Sequence, residues 1–533
     1  MAKRSKAVQY PWVLPVAACL VGLFWAFHPI ILSGFGRIIG DHGDARLVNY
    51  FLEHSYLWAI RRPDHQSFWN LPNYFPALNV TAYSETLVGV APFYAIWRVL
   101  GFLPDSAFQL WLFTVSILNF IVMLFFLQKG LKFRQLPAVA GAFLFAFGSP
   151  RLAQLNHAQL LPQFYTVGVF YALVRLFSSK GDPRRWILLF SGCMVLQLYA
   201  GFYLGWFLFF GLLVFGLCAL SFKQTRRQIL GLVRMNGWAL LLAFVASMLA
   251  LAPMMIHYSR AASESGWRSF AEISAMIPTL QSWWYLGKGS WLYSWLNRLK
   301  IFRVISMAHE HAMGVGLVTA ILCGMGIYEN RKSKWGRVLL ISLLVTWICV
   351  TKFPHNWTLW EFLYLHIPGA QAIRSLSRIG IFLLIPASIG LAGWLERRKI
   401  TPAILALCLL AALEQGFTQE SYDKQEVRAQ VAQIVAKIDH RCSSFYYYVV
   451  PVGPTRSMPF KYQQDALFAE MATGVPTLNG NSGNTPPGYG PLNNNIIMPA
   501  HTEGVLFSEV AIWEREQGLN PASTCLVKGT VSY

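Results

Sequence analysis

The chain has 533 residues, of which 55% are hydrophobic and only 13% charged, whereas Asp, Glu, Lys and Arg make up roughly 25% of soluble domains. So little charge cannot cover the polar surfaces of the several domains that such a length would form in water, which excludes wholly soluble, disordered and fibrous classes. Lys and Arg outnumber Asp and Glu by 44 to 24, a net +20, but the excess sits in short clusters between apolar runs, as membrane topology requires and nucleic-acid binding does not.

In chain order, Lys3, Arg4 and Lys6 precede an apolar stretch over residues 11–33 with no small-residue cleavage pattern, which reads as an uncleaved first span with its N-terminus inside. Further apolar runs centre near Leu118, Phe143, Phe170, Met194, Phe209, Ala243, Leu317, Leu343, Leu384 and Ala406, giving about eleven spans. Basic joints fall at Lys129/Lys132/Arg134, Lys180/Arg184/Arg185, Lys223/Arg226/Arg227, Arg331/Lys332/Lys334/Arg337 and Arg397/Arg398/Lys399. All lie on the inner side if the spans alternate and residues 87–100 lie along the outer surface or re-enter. If that piece crosses, every later joint inverts. Three outer loops, 34–105, 257–311 and 352–377, are long enough to concentrate function.

The composition changes near Phe417. Residues 1–416 read as the membrane domain and 417–533 as a soluble outer domain. The latter shows a helical pattern over 421–438, a β-type run over 445–450 and a helix over 463–471, which together predict a small α/β unit. Of eight cysteines, Cys19, Cys193, Cys218, Cys323, Cys349 and Cys408 fall in spans, where a thiol packs as a small apolar group. Cys442 and Cys525 are the natural disulfide pair if their domain is extracytoplasmic, worth about 4 to 5 kcal/mol in the chain-entropy model; in a reducing compartment they stay unpaired thiols. The run 479–495 cannot be a regular element, because Pro486-Pro487 and glycines interrupt it. It is either a long loop with Tyr489 leaning over a membrane-facing site or a disordered insertion.

The most concentrated polar cluster beside a span is Gly40-Asp41-His42-Gly43-Asp44-Ala45-Arg46. Two carboxylates three residues apart can meet one metal ion or one substrate hydroxyl; the alternative is an exit loop whose Asp caps a helix over 45–58. A carboxylate left half-desolvated at a membrane surface is costly, which favours the functional reading. Arg374 and Arg378, four apart, share one face if a helix leads into the span at Ile379, where guanidinium groups can grip a lipid phosphate or simply snorkel to headgroups. His54 and Glu85 are further polar groups of the first loop, and Glu85 either joins the site or starts the following helix. In His309-Glu310-His311 the alternate spacing suits metal binding only from a strand, and the neighbouring pattern is helical. Trp283, Trp284, Tyr285 and Trp291 form either a sugar-stacking cluster or an interfacial belt. No Walker-type phosphate loop, serine-nucleophile elbow or paired CxxC occurs, which disfavours soluble nucleotide donors.

An inner N-terminus, a first span ending in an acidic motif, a large first outer loop, many further spans and an outer C-terminal domain together resemble the GT-C superfamily of polytopic glycosyltransferases. The stretch from Pro368 to Arg378, Asn479-Gly480-Asn481-Ser482-Gly483 and Pro486-Pro487-Gly488-Tyr489 are similar to segments of an uncharacterised bacterial branch of it. The resemblance implies an α-helical polytopic fold and sugar transfer from a polyprenyl-phosphate donor, with an acidic residue of the first outer loop as catalytic base or metal partner. Asp41 and Asp44 hold the matching positions, with Mg²⁺ or Mn²⁺ as candidate cofactor there. His157 resembles a position where the family turns polar residues into the cavity, and His42, His54, Glu85 and Tyr489 are the other cavity candidates.

These readings lead to an inverting membrane glycosyltransferase. Asp41 or Asp44 takes the acceptor's proton and Arg374 and Arg378 hold the donor phosphate. The acceptor is an extracytoplasmic glycan, lipid or protein, and the setting is a bacterial inner membrane with the C-terminal domain outside; membrane lipids are the other partner. Competing classes are a lipid or glycan transporter or flippase, expected to show charged spans and internal repeats, and a non-catalytic scaffold of the cell envelope.

Overall fold

The computed structural model describes residues 12–178, 181–449, 459–489, 492 and 503–529. Lys3, Arg4, Lys6, Lys180, Val450 and part of the Gly/Pro run lie outside them. Eleven apolar helices correspond to the expected spans: α1 (Val13–Leu32), then, after strand β1 (Arg37–Ile39) and helices α2 (Asp44–Ala59) and α3 (Ala91–Val99), α4 (Pro104–Phe125), α5 (Gln135–Phe147), α6 (Phe164–Ser178), α7 (Arg184–Ala200), α8 (Phe202–Ser221), α9 (Lys223–Ser265), α10 (Leu317–Asn330), α11 (Lys334–Val350), α12 (Ile379–Glu396) and α13 (Pro402–Leu413). Six segments, built on α1, α4, α6, α8, α9 and α12, are long and apolar enough to cross a bilayer; the others are shorter, and of these α5 is mostly buried and α13 largely exposed. The chain is an integral membrane protein.

Helix α3 decides the doubtful joint. Its nine residues rise only about 14 Å, half a bilayer core. It lies against α2 instead, with Arg98 bonded to Glu53 at 2.8 Å and Ile96, Val99 and Leu100 exposed. The basic joints then gather at one end, where Arg134 pairs with Glu396 at 2.9 Å and Arg398 with Glu329 at 2.5 Å. The long loops gather at the other. Helix α9 spans 43 residues with a kink at Asn236, and what reads as the start of the second outer loop continues its second half to Ser265. Its far end braces the first loop through Tyr258, whose hydroxyl donates to the Ser84 carbonyl.

Packing between α10 and α12 depends on two glycines. A Cβ on Gly326 would lie 1.8 Å from the Gly390 carbonyl oxygen, and one on Gly390 2.4 Å from that of Cys323. Backbones can approach so closely only without side chains, and this fixes α12 and the arginine at its head.

The C-terminal unit comprises β2 (Ser421–Asp423), α14 (Lys424–Val435), β3 (Ser444–Val449), α15 (Pro459–Thr473), α16 (Glu503–Glu516) and β4 (Thr524–Gly529). The helical pattern over 421–438 is corrected at its start. Residues 421–423 pair antiparallel with β1, Ile39 opposite Ser421, and Asp423 caps α14 by accepting from the Gln425 and Glu426 amides. Strands β3 and β4 pair in parallel, and Cys442 and Cys525, at the head of that pair, are disulfide-bonded with Cα atoms 5.8 Å apart. The unit is pinned to the first loop by Arg428 on Asp105 (2.6 Å) and by a buried Arg46–Asp465 pair (2.7 Å).

Candidate functional site

Four segments far apart in sequence meet at the loop end of the bundle. The turn Gly40–Gly43 closes because Asp41 Oδ1 accepts from the Gly43 and Asp44 amides, at 2.9 and 3.0 Å. Asp41 thus sets the start of α2, while Asp44 is the first residue of that helix and faces away from the turn. His157, from the link between α5 and α6, places Nδ1 2.6 Å from Asp44 Oδ2 and Nε2 3.4 Å from Glu310 Oε1. The first is a close ion contact without hydrogen-bond alignment. Glu310 accepts from Arg378 at 3.0 Å (Nε) and 2.8 Å (Nη2), and from Ser375 Oγ at 2.9 Å. The Arg378 guanidinium lies 5.0 Å above the Tyr203 ring, and the Tyr203 hydroxyl accepts from the Arg374 amide at 3.0 Å. A line of alternating charge therefore runs Asp44, His157, Glu310, Arg378.

Exposure divides these groups. The Asp44 side chain is 42% exposed, against 14% for His157, 2% for Glu310 and 4% for Arg378. Desolvation pushes the Asp44 carboxyl upward, but contact with His157 and the charges of Arg378 and Arg374 outweigh it, so it ends below its ordinary value and stays ionised. Burial and Arg378 push His157 down, yet the two carboxylates win and it ends raised. Glu310 is held well below the carboxylate range, its burial overcome by Arg378 and His157. Asp41 goes the other way, raised by burial and then by Asp44.

The arginine pair differs from its expected helical geometry. Only residues 376–378 form a 3-10 turn, Ser375 is extended, and the two side chains have different environments. Arg378 is committed to Glu310, whereas the Arg374 side chain has no hydrogen bond or ion pair among the described residues and acts on Asp44 through its charge. Glu310 escapes the sequence reading because taking the His309-Glu310-His311 triplet for metal binding hides its middle member. The available signal was electrostatic: a buried arginine at the head of α12 needs a carboxylate from another loop. His311 instead bonds Ser282 Oγ and the Ala275 carbonyl.

Of the other candidates, Glu85 borders the Asp44 site, and His42, His54 and Tyr489 lie apart from it. Glu85 accepts from the Phe202 amide at 2.6 Å, so it starts a helix, but α8 rather than the one that follows it; it shares a small cavity with Asp44. His42 stacks on Tyr422, ring centroids 4.8 Å apart, and is pushed down to about 4 by burial and then by Arg46 and Lys461. His54 is enclosed in the first loop, between His65 and the Phe68 carbonyl. Tyr489 does not lean over the site. Its buried hydroxyl donates to the Tyr74 carbonyl and accepts from the Ala77 amide, fastening the Gly/Pro run to the first loop. Asp41 and Asp44 do not converge with a third metal-ligating group; among the described residues such a group is formed by Asp64, His65 and Glu470.

No family model matches the chain, and no curated protein does. Among solved structures, the arabinofuranosyltransferase AftD from mycobacteria superposes with a TM-score of 0.55 at 14% identity, over 90% of this chain and 32% of that one. A mutant form of AftD gives 0.51 at 15% identity, over 90% and 34%. ArnT from Cupriavidus metallidurans gives a looser 0.38 at 13% identity, over 87% and 88%. The chain spans about a third of the length of AftD. At this identity the likeness is one of fold: the chain shares the fold of the matched third of AftD.

Proposed function

We propose that the protein transfers a sugar from a polyprenyl-phosphate donor to an acceptor hydroxyl at the loop end of the bundle. The observation that carries this reading is the meeting of Asp44 with Arg374 and Arg378 around His157 and Glu310. It puts a half-exposed carboxylate and a guanidinium unpaired among the described residues on one site, as transfer from a phosphate leaving group demands.

Asp44 accepts the acceptor's proton as the hydroxyl attacks the anomeric carbon, and the phosphate departs from the opposite face with inversion. Because its pKa is depressed, Asp44 is always ionised but weakly basic, so proton transfer accompanies bond formation rather than preceding it. Arg374 takes the phosphate, and its charge stabilises the leaving group where it develops. Arg378 holds Glu310, which holds His157, which fixes Asp44. On α12 the sequence continues from Arg378 through Phe382, Ile385 and Ile389, spaced along one helix face. These line an apolar groove of about 600 Å³ with Phe170, Phe215 and Trp335, a bed for a prenyl chain. A cleft of about 580 Å³ lined by Asp41, His42, Tyr422 and Lys461 opens on the other side of the Gly40–Gly43 turn and does not include Asp44. By the rule that basic joints face the cytoplasm, the site and the C-terminal unit, residues 417–533, face outward, in a bacterial inner membrane.

The test is transfer of radiolabelled sugar from a polyprenyl-phosphate-sugar lipid fraction by the purified protein. Transfer by the wild type and its loss in Asp44→Asn support the reading; an Asp44→Asn enzyme as active as wild type removes the proposed base. Movement of labelled lipid between leaflets without transfer would make the protein a flippase.

A further inference from the structure

A second histidine stands between two carboxylates, away from the Asp44 line. Asp64 and His65 belong to a short turn of the first loop, Pro63–His65, and Glu470 lies on α15. One donor atom of each falls within 4.8 Å of the other two. His65 Nε2 is 3.5 Å from Asp64 Oδ2 and 3.8 Å from Glu470 Oε1. His65 and Glu470 are wholly enclosed, and these three atoms have no hydrogen-bond partner among the described residues.

The far atom of each group, by contrast, is engaged. Arg62 Nε lies 2.9 Å from Asp64 Oδ1, Tyr50 donates to Glu470 Oε2 at 2.9 Å, and His54 Nδ1 meets His65 Nδ1 at 2.7 Å. The last contact settles the tautomer. The Phe68 carbonyl only accepts, so His54 Nε2, 2.9 Å away, carries a hydrogen. One hydrogen fits between the two Nδ1 atoms. A doubly protonated, enclosed His54 would bury a charge on the ring farther from the carboxylates, so that hydrogen belongs to His65. His65 Nε2 is then a lone pair directed at two carboxyl oxygens, an arrangement that repels itself unless a proton or a metal cation lies between them.

We propose that Asp64, His65 and Glu470 bind one divalent transition-metal ion, for which Zn²⁺ is the best match. Imidazole and carboxylate donors suit it, bond lengths of about 2.0–2.2 Å place tetrahedral donors roughly 3.3–3.6 Å apart, and the outer partners orient each ligand as second-shell groups do in metal sites. The role follows from position. Arg46, Tyr50 and His54 recur every four residues along one face of α2, and the first two contact Asp465 and Glu470 of α15. The ion rivets the C-terminal unit to the first loop, and this holds whether or not the protein transfers sugar.

Full-length protein in detergent, its affinity tag removed, is stripped with EDTA and titrated with ZnCl₂. We expect one equivalent retained per chain by elemental analysis and a higher thermal midpoint. Both should be lost in His65→Ala and Glu470→Gln and kept in Asp41→Asn. Should the variants not fold, Co²⁺ added to the stripped wild type reports directly, through the visible absorption of a low-coordinate Co²⁺ site. A wild type that retains no Zn²⁺, undiminished uptake in both ligand variants, loss of uptake in Asp41→Asn, or Co²⁺ without such absorption overturns the proposal.

Discussion

The chain holds two histidines flanked by carboxylates, and they are balanced in opposite ways. At His157 both ring nitrogens meet carboxylates, and Arg378 supplies a further positive charge, so the line from Asp44 to Arg378 neutralises itself. At His65 one nitrogen is occupied by His54 and the other faces Asp64 and Glu470 as an acceptor. The same residue types thus give a protonated bridge in one place and a ligand set in the other. What separates them is the partner of the second ring nitrogen: at His157 a second carboxylate favours the doubly protonated ring, whereas at His65 an enclosed neutral imidazole does not.

The comparison can be broken most severely at Asp44. Its replacement by Asn leaves the size of the side chain unchanged and removes the proposed base, so transfer should fall by about 10² to 10⁴-fold, measured as initial rate with labelled donor. Asp41→Asn should cost far less, because Asp41 acts on the turn. Next in size is Glu310→Gln, which leaves Arg378 buried without a full countercharge and should destabilise by about 3 to 5 kcal/mol, read as a fall in thermal midpoint regardless of metal. Glu470→Gln should forfeit only the Zn²⁺-dependent part of the midpoint. Pairing Glu310→Gln with Arg378→Met should recover much of the loss, since an apolar replacement of a buried pair is often neutral. Smaller again is the disulfide: Cys442→Ser with Cys525→Ser should lower stability by about 2 to 4 kcal/mol, and reduction of the wild type should change its mobility on a gel.

How much of this was legible depended on the range of the interaction. Apolar runs announce helices locally, so each expected span centre falls in a helix, with Leu317 only at its edge. The first-loop carboxylates and the Arg374/Arg378 patch could be singled out because each is an unusual polar cluster within a few residues. Glu310 and the Asp64/His65/Glu470 group could not, since their meaning arises between segments far apart along the chain, and no local pattern encodes which loop a buried charge will find. The helix wrongly extended over 421–423 has the same origin: β1, nearly 400 residues earlier, supplies the strand partner. Tyr489 is a similar case: an aromatic in a Gly/Pro run looks free in sequence, and its hydroxyl bonds the first loop.

The finest test of the contrast is titration. The His157 pKa is raised in the folded protein above 6.5, so its contribution to stability is complete below that value and is lost as pH rises through the folded pKa. The Asp44 pKa is depressed below 3.8, so its contribution is present above that value and is lost only as pH falls through the lower folded one. Between these limits the bridge is intact. The thermal midpoint of the wild type relative to His157→Gln should therefore be highest in mildly acidic buffer and should shrink steadily above neutrality. A difference independent of pH across that range would mean that His157 carries no proton, and the two histidines would then be balanced alike.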